Sequence, residues 1–201
     1  MRVTFIGDSI TDAGRDRADH GSFGDGYVSL LAPGLIAGGA TVRNLGIAGN
    51  RVADLAARWD AELMPTAPEL LTVFVGVNEM LRRYDSADPT PTERYAATYR
   101  RLLDAVMAAH EPRLILMEPF FLPPAPEQRA WRDDLDEKRA VVAEIAGEFG
   151  AAFVPLDGVF AAAARDRAPA ELAPDGVHPT PVGSRLIADA WTAASIISDS
   201  R

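Results

Sequence analysis

The chain has 201 residues, of which 48% are hydrophobic and 24% are charged, and this length and composition predict one globular domain over residues 1–201. The formal net charge of -9 at pH 7 argues against a nucleic-acid partner, because nucleic-acid-binding proteins concentrate Lys and Arg against the phosphates. There is no cysteine, which excludes disulfides, thiolate metal ligands and a cysteine nucleophile.

The first residues, Met1 to Gly7, contain one basic residue and an apolar run too short for a signal peptide, so they are predicted to form a first strand. No apolar segment approaches the roughly 20 residues that span a bilayer. Even the run from Leu70 to Val77 is interrupted by Thr72. We therefore expect a cytoplasmic protein that has no membrane partner.

Short apolar runs alternate with longer helical patterns along the chain. This order is typical of βαβ units around a parallel sheet, and short apolar strands are expected where helices cover both faces. Five strands are predicted: Val3 to Ile6, Val42 to Leu45, Leu70 to Val75, Leu114 to Met117 and Ala152 to Val154. The sequence therefore predicts an α/β fold.

Periodic apolar residues predict helices between these strands. Thr92 is the expected N-cap of one helix, Gly150 follows the end of another, and Pro33 and Gly34 are expected to end or kink a third. Four predicted helices are Tyr27 to Ile36, Val52 to Met64, Glu93 to Ala109 and Leu135 to Phe149. A last helix is predicted to begin at Thr180-Pro181, with Thr180 as its cap and Pro181 in its first turn.

The segment from Phe120 to Pro126 follows the fourth predicted strand and contains three prolines. Because proline cannot donate a hydrogen bond to a β-ladder, we predict a loop. Its apolar side chains fit a pocket lining, a contact between subunits of a homo-oligomer, or packing on the loop's own domain. The sequence leaves these three interpretations open.

Polar or glycine-rich segments follow the predicted strands. In an open parallel sheet, ligands bind beyond the carboxyl ends of the strands, so we expect these segments to face one cleft. The segments are Gly7 to Thr11, Gly46 to Asn50, Gly76 to Glu79 and Asp175 to Pro179.

Ser9 is a candidate nucleophile, since a serine hydroxyl becomes reactive when a neighbouring base takes its proton. An imidazole suits that task at neutral pH, and of the three histidines only His178 lies in one of the strand-end segments. Asp175, three residues earlier, is placed to orient the ring and to stabilise the imidazolium. Ser9, His178 and Asp175 are therefore a candidate catalytic triad, and His20 and His110 are expected to be structural.

Acyl transfer also needs hydrogen-bond donors aimed at the developing oxyanion. The candidates are the backbone N–H of Ser9, the backbone N–H of Gly49, and the side-chain amide of Asn78. Asp8 adjoins the nucleophile, but neighbouring side chains diverge, so it is expected to brace the turn. No metal is expected, because the loosely spaced acidic residues nearby match no ligand pattern and predict a solvated loop: Asp12, Asp16, Asp19 and Asp25.

These motifs run in order along nearly the whole chain, and they resemble the four sequence blocks of the GDSL/SGNH hydrolase family: Gly7-Asp8-Ser9-Ile10, Gly49, Gly76-Val77-Asn78-Glu79 and Asp175-Gly176-Val177-His178. The resemblance implies a three-layer α/β/α flavodoxin-like fold with a five-stranded parallel sheet. It also implies a carboxylic-ester hydrolase without a metal or organic cofactor. Glu79 departs from the family pattern, which has aspartate after the oxyanion asparagine.

Further segments resemble the bacterial acetylxylan-esterase-like branch of this family: Gly7 to Arg15, Gly24 to Val28, Ala57 to Trp59 and Glu118 to Leu122. This closer resemblance implies removal of acetyl groups from sugar hydroxyls, often by oligomeric enzymes. The expected partner is a small acyl ester, in this case an acetylated sugar such as a xylo-oligosaccharide.

Other functions fit parts of the sequence. A lipase, lysophospholipase or thioesterase would use the same triad, with Phe120 to Leu122 gripping an acyl chain. A non-catalytic binding module on a hydrolase scaffold belongs to a different class, since a fold does not fix a function. A nucleotide-binding flavodoxin-like protein is disfavoured because no phosphate-binding glycine loop is present. Acyl-chain preference and the reactivity of Ser9 separate these hypotheses.

Overall fold

The computed structural model describes residues 1–198, which contain a five-stranded sheet whose strands all run parallel. The strands are β1 (Arg2–Gly7), β2 (Thr41–Gly46), β3 (Leu70–Phe74), β4 (Arg113–Met117) and β5 (Ala152–Val154). Their order across the sheet is β2, β1, β3, β4, β5, the flavodoxin-like order, whose switch point lies between β1 and β3. The predicted strands and the predicted α/β fold are confirmed.

Helices connect the strands and cover the sheet. They are α1 (Ser9–Asp12), α2 (Tyr27–Ala37), α3 (Val52–Arg58), α4 (Val77–Asp85), α5 (Thr92–His110), α6 (Arg132–Glu148), α7 (Leu156–Ala163), α8 (Pro169–Leu172) and α9 (Pro181–Ser198). Within the described part of the chain, no helix combines the length and apolar character needed to cross a membrane.

Two apolar cores lie on opposite faces of the sheet, because successive side chains of a strand point to opposite sides. Phe5 of β1 belongs to the core that also contains Tyr27 of α2 and Trp191 of α9. Its neighbour Ile6 belongs to the other core, with Leu103 of α5. The molecule therefore has three layers, helices on either side of a central sheet.

Of the two alternatives predicted for Pro33 and Gly34, an early end of α2 or a kink, the early end is wrong, because the helix continues to Ala37. Proline inside a helix removes one backbone hydrogen bond and costs about 3 kcal/mol. The same helix buries Tyr27, Val28 and Ala32 almost completely. Burial of a large apolar side chain contributes about 1.5–3 kcal/mol, so the packed face outweighs the proline.

Two further boundary predictions need correction. Thr92 is the first residue of α5 and not its N-cap, which is Pro91. The Thr92 hydroxyl hydrogen-bonds instead to Glu137 and Lys138 of α6. The predicted helix Val52 to Met64 changes its winding, since α3 passes into a π-helical turn at Trp59–Leu63 and a 3-10 turn at Met64–Thr66.

Replacing Pro33 by alanine is expected to raise the free energy of unfolding by about 1–2 kcal/mol. Residue 33 is exposed, and its backbone N–H becomes free to donate to the carbonyl of Ser29. Urea denaturation measures the change. In the matched control Gly34→Ala, the added Cβ meets no atom within 4 Å, and the gain is expected to stay below about 1 kcal/mol. An unchanged or lower stability of Pro33→Ala would contradict this explanation.

Candidate active site

Ser9 lies at the turn from β1 into α1. Asp8 is the N-cap of α1, and its Oδ1 accepts a hydrogen bond from the backbone N–H of Ile10 at 3.0 Å, so it braces the turn. Burial raises the pKa of Asp8 to about 7, although the Ile10 N–H and the charge of His178 oppose the shift. A Cβ at Gly46 would lie 2.2 Å from the backbone nitrogen of Asp12, so glycine there lets α1 approach β2 closely.

The segment before α9 brings the other two triad candidates to Ser9. Nε2 of His178 lies 2.9 Å from Oγ of Ser9, and Nδ1 of His178 lies 2.6 Å from Oδ2 of Asp175. The second carboxylate oxygen of Asp175 accepts hydrogen bonds from the backbone N–H groups of Val177 and His178, at 2.9 and 2.7 Å. The three predicted residues therefore form one continuous hydrogen-bonded chain.

Asp175 is held in its ionised form. Partial burial raises its pKa, but the hydrogen bonds from the His178 ring and from the backbone of His178 and Val177 outweigh that effect, and the pKa lies below its ordinary value. The side chains of Asp175 and His178 are 55% and 53% exposed. The pair therefore lies at the solvent-exposed surface and not in a closed interior.

The loop after β4 supports the segment that carries His178. Gly176 has φ of 84°, and a Cβ there would lie 2.4 Å from the carbonyl oxygen of Leu122. The N–H of Leu122 donates to the carbonyl of Gly176 at 3.0 Å. Phe120 and Phe121 are buried in the core, so of the three interpretations of this loop the structure supports packing on its own domain.

A partly buried ionic network joins the same loop to α6 and α7. Arg132 donates to the carbonyl of Phe121 at 2.7 Å and to both carboxylate oxygens of Asp157, at 2.9 and 2.8 Å. Glu118 accepts from the Arg139 guanidinium at 2.9 Å and from the backbone N–H of Asp157 at 3.0 Å. Bidentate pairing of this kind fixes direction as well as distance, so the support of the Gly176 turn is rigid.

Two further oxyanion candidates lie on adjoining segments. Gly49 has φ of 81°, which favours glycine. Asn78 is buried in the first turn of α4, a helix that the sequence did not predict, and one N–H of its amide donates to the carbonyl of Asn50 at 3.1 Å. The Asn50 side chain in turn accepts from Arg58 Nε at 2.9 Å. Arg58 and Asn50 therefore tie the Gly49 segment to Asn78.

Sequence reasoning did not find these supporting roles. Asn50 acts through its backbone carbonyl towards Asn78, and a backbone contact between distant positions leaves no residue pattern. For Arg58 the sequence did contain one indication of a role, because this residue lies in the Ala57 to Trp59 segment that resembles the esterase branch.

Glu79, which departs from the family pattern, is fully buried between these segments. Its Oε1 accepts a hydrogen bond from the backbone N–H of Val52 at 2.7 Å, at the start of α3. No hydrogen-bond partner of its Oε2 lies within residues 1–198. Burial raises the pKa of Glu79 to about 7, although the Val52 N–H opposes the shift. The longer side chain thus joins α4 to α3, with one oxygen left unsatisfied.

The acidic residues in and after α1 do not gather around a common point. The prediction of a solvated position is wrong for Asp12, which is the last residue of α1 and is buried, where it pairs with Arg17 at 2.6 Å and accepts a hydrogen bond from the Ala48 N–H at 2.9 Å. Residues 1–198 contain no group of three or more His, Asp or Glu side chains able to hold a metal ion. His110 hydrogen-bonds to the carbonyl of Met64, and His20 is exposed, so neither reaches Ser9.

Two cavities meet at Ser9 and His178. The main cleft has a volume of about 710 Å³, and its other lining residues include Ala13, Arg15, Arg17 and Ala48. The small pocket has a volume of about 200 Å³, and its other lining residues include Ile10, Ala13, Asp25 and Pro179. The candidate nucleophile therefore lies between a wide cleft and a small, partly apolar pocket.

Comparison with known proteins shows which family the chain resembles. The model of the GDSL-like lipase/acylhydrolase family matches residues 5–186. An acetylxylan esterase of Geobacillus stearothermophilus is 34% identical over 202 residues, which cover 94% of this chain and 91% of that protein. Variants of that esterase in which a serine, an aspartate or a histidine is replaced by alanine are described as catalytic mutants.

Solved structures agree with the sequence matches. Axe2, the acetylxylan esterase of Geobacillus stearothermophilus, superposes with a TM-score of 0.88 at 34% identity, covering 96% of this chain and 93% of that one. A protein of Parabacteroides merdae described as a GDSL-like lipase gives a TM-score of 0.90 at 34% identity, with coverage of 96% and 94%. The likeness extends over nearly the full length of each structure.

The buried carboxyl of Glu79, with one oxygen unsatisfied, predicts a pH-dependent stability. Its folded pKa of about 7 lies above an unfolded value of about 4.3, so the stabilisation is complete below the unfolded value and is lost as the pH rises through 7. Glu79→Gln keeps the acceptor for Val52 and removes the charge. We expect it to raise the free energy of unfolding at pH 8 by on the order of 2–3 kcal/mol relative to its effect at pH 5.

Urea denaturation of both proteins at pH 5 and pH 8 measures this difference. Asp8, whose pKa burial also raises to about 7, is present in both proteins, and its repulsion of the Glu79 carboxylate is part of the expected difference. Glu127→Gln, which neutralises an exposed carboxylate, is the control and is expected to show no such pH dependence. A Glu79→Gln effect of equal size at both pH values would show that Glu79 carries its charge in the folded protein without cost.

Proposed function

Because the chain belongs to the GDSL-like lipase/acylhydrolase family, and is therefore a carboxylic-ester hydrolase, we propose that it removes acetyl groups from carbohydrate hydroxyls with Ser9 as nucleophile. The observation that carries the catalytic assignment is the 2.9 Å contact between Ser9 Oγ and His178 Nε2, continued by the 2.6 Å contact to Asp175. The similarity to an acetylxylan esterase supports the substrate class.

The proposed reaction passes through an acetyl-enzyme. Ser9 Oγ attacks the acetyl carbonyl carbon while His178 Nε2 takes its proton, and the sugar oxygen leaves with that proton as the tetrahedral intermediate collapses. A water molecule then attacks the acetyl group, His178 again takes the proton, and acetate departs as Ser9 Oγ regains it. Asp175 keeps the proton on Nδ1 of His178 and stabilises the imidazolium.

The negative charge on the carbonyl oxygen needs donors. We assign this role to the backbone N–H groups of Ser9 and Gly49 and to the side-chain amide of Asn78. The Asn78 amide has two N–H groups and gives one to the carbonyl of Asn50, so the second is available to the oxyanion. The bond to Asn50 restricts the orientation of the Asn78 amide before the substrate binds. Donors that are oriented in advance towards a developing oxyanion usually make the largest single contribution to the rate acceleration.

The size of the small pocket favours a substrate with a short acyl group. Its volume of about 200 Å³ adjoins Ser9 and His178. The alternative function, a lipase or thioesterase, relies on Phe120 and Phe121 gripping an acyl chain, but both side chains are buried and line neither cavity at Ser9. The main cleft, by contrast, is wide enough for the sugar of an acetylated oligosaccharide.

Replacing Ser9 by alanine is expected to abolish acetate release from acetylated xylo-oligosaccharides and from 4-nitrophenyl acetate, by a factor of about 10⁴ or more, since the nucleophile is lost. The rates of acetate and nitrophenolate release measure this loss of activity. Ser86→Ala, which removes an exposed hydroxyl beside Asp85, is the matched control and should keep full activity. Undiminished hydrolysis by Ser9→Ala would refute the mechanism, and inactivity of the unaltered protein towards all esters would favour a non-catalytic binding module.

Acyl-chain preference tests the substrate assignment separately. We expect kcat/KM for 4-nitrophenyl acetate to exceed that for 4-nitrophenyl octanoate by about tenfold or more, because the small pocket leaves the longer chain in water. The two esters share one leaving group, so the ratio reports the acyl site alone. Faster turnover of the octanoate would keep the triad and replace the carbohydrate proposal by a lipid or thioester substrate.

A further inference from the structure

Another cavity, of about 570 Å³, follows β2, the edge strand of the sheet. Alternate residues of that strand, Thr41, Arg43 and Leu45, line it, and Ile47 continues the same row. At about 3.3 Å per residue, the row from residue 41 to residue 47 is about 20 Å long. We call this cavity the β2 groove. Its length suits an extended ligand.

The β2 groove is basic, although the chain as a whole has a net charge of -9. Its acidic lining residue within residues 1–198 is Glu62, which Arg58 pairs with at 2.8 Å, so that charge is already compensated. Four arginines line the groove: Arg2, Arg15, Arg17 and Arg43. A concave basic surface on an acidic protein favours an anionic ligand.

Two of these arginines form an ion pair and two form none with another described residue. Arg2 pairs with Glu69, and Arg17 pairs with Asp12. Arg15 donates Nε to the carbonyl of Gly46 at 3.0 Å, and Arg43 donates to the carbonyl of His20 at 3.4 Å. Neither Arg15 nor Arg43 forms an ion pair with another described residue, so both guanidinium groups can still bind a carboxylate.

The surroundings of Arg15 disfavour its charge. Partial burial lowers the pKa of Arg15, the like charges of Arg17 and Arg58 add to that shift, and the charges of Asp12 and Glu62 oppose it. A bound anion would offset both the burial and the repulsion.

The β2 groove adjoins the candidate active site, because Arg15 and Arg17 line both this groove and the main cleft. The cleft also contains Ser9 and His178. We propose that the β2 groove binds a carboxylate-bearing sugar unit of the substrate, with Arg15 and Arg43 as its ligands, while a neighbouring acetyl ester lies at Ser9. This inference rests on the proposed function and narrows it to acetylated oligosaccharides that carry uronic acid units.

A second copy of this acidic chain is the competing occupant of a basic surface. The continuity of the groove with the main cleft favours the substrate, since an interface between copies has no need to share residues with the cavity that contains Ser9. The experiment below distinguishes the two occupants.

The test compares two substrates that differ only in charge. One is an acetylated xylo-oligosaccharide with a single glucuronic acid unit, and the other is the same acetylated oligosaccharide whose carboxyl group is converted to the primary amide, so that the acetyl esters are the same in both. We expect kcat/KM to be about tenfold higher for the acidic substrate, and this ratio to fall as salt is added. Arg15→Gln and Arg43→Gln should each lower the ratio about three- to tenfold.

Arg101→Gln, which removes the same charge from the exposed surface of α5, is the matched control and should leave the ratio unchanged. A ratio near one in an active enzyme, or a ratio that Arg15→Gln and Arg43→Gln do not lower, would overturn the groove proposal and leave the proposed function standing. If light scattering shows instead that these substitutions change the oligomeric state without changing the ratio, the groove is an interface between copies. Inactivity on both substrates would count against the proposed function itself.

Discussion

A hydrogen bond of 2.9 Å joins Ser9 to His178, two residues that lie 169 positions apart in the chain. A contact of such long range forms only if the whole sheet has the correct order, because Ser9 follows β1 and His178 precedes α9. The parallel strands place their carboxyl ends at one edge, and the close approach at Gly46 sets α1 against that edge. The chemistry of the site thus depends on the register of the entire fold.

Buried polar groups around the site hold their positions through backbone contacts. Asp8 accepts from the first turn of α1, Glu79 accepts from the start of α3, and Asn78 donates to the segment that carries Gly49. Two of these groups are carboxyls whose pKa burial raises to about 7. Apolar side chains would pack there at less cost, so these buried carboxyls lower the stability of the fold while they hold the candidate donors and the candidate nucleophile in place.

The sequence was sufficient for the strands and for the positions of Ser9, Asp175 and His178, because strand periodicity and short motifs are local signals. It was insufficient where tertiary contacts determine the extent of a helix or the partner of a side chain. Burial of the opposite face of α2 keeps the helix intact through Pro33, and α4 begins inside a motif that looks like a loop. The link from Arg58 through Asn50 to Asn78 joins a side chain to a backbone carbonyl far along the chain, which no residue pattern encodes.

The central claim is that His178 activates Ser9 as the nucleophile of an ester hydrolase. Labelling with a fluorophosphonate, followed by mass spectrometry of the digested protein, tests it most directly, because such reagents react with a serine whose proton a base removes. The account predicts a single adduct, on the peptide that contains Ser9, and loss of that adduct in His178→Ala. An active hydrolase that remains unlabelled, or that carries the label on another residue, would contradict it.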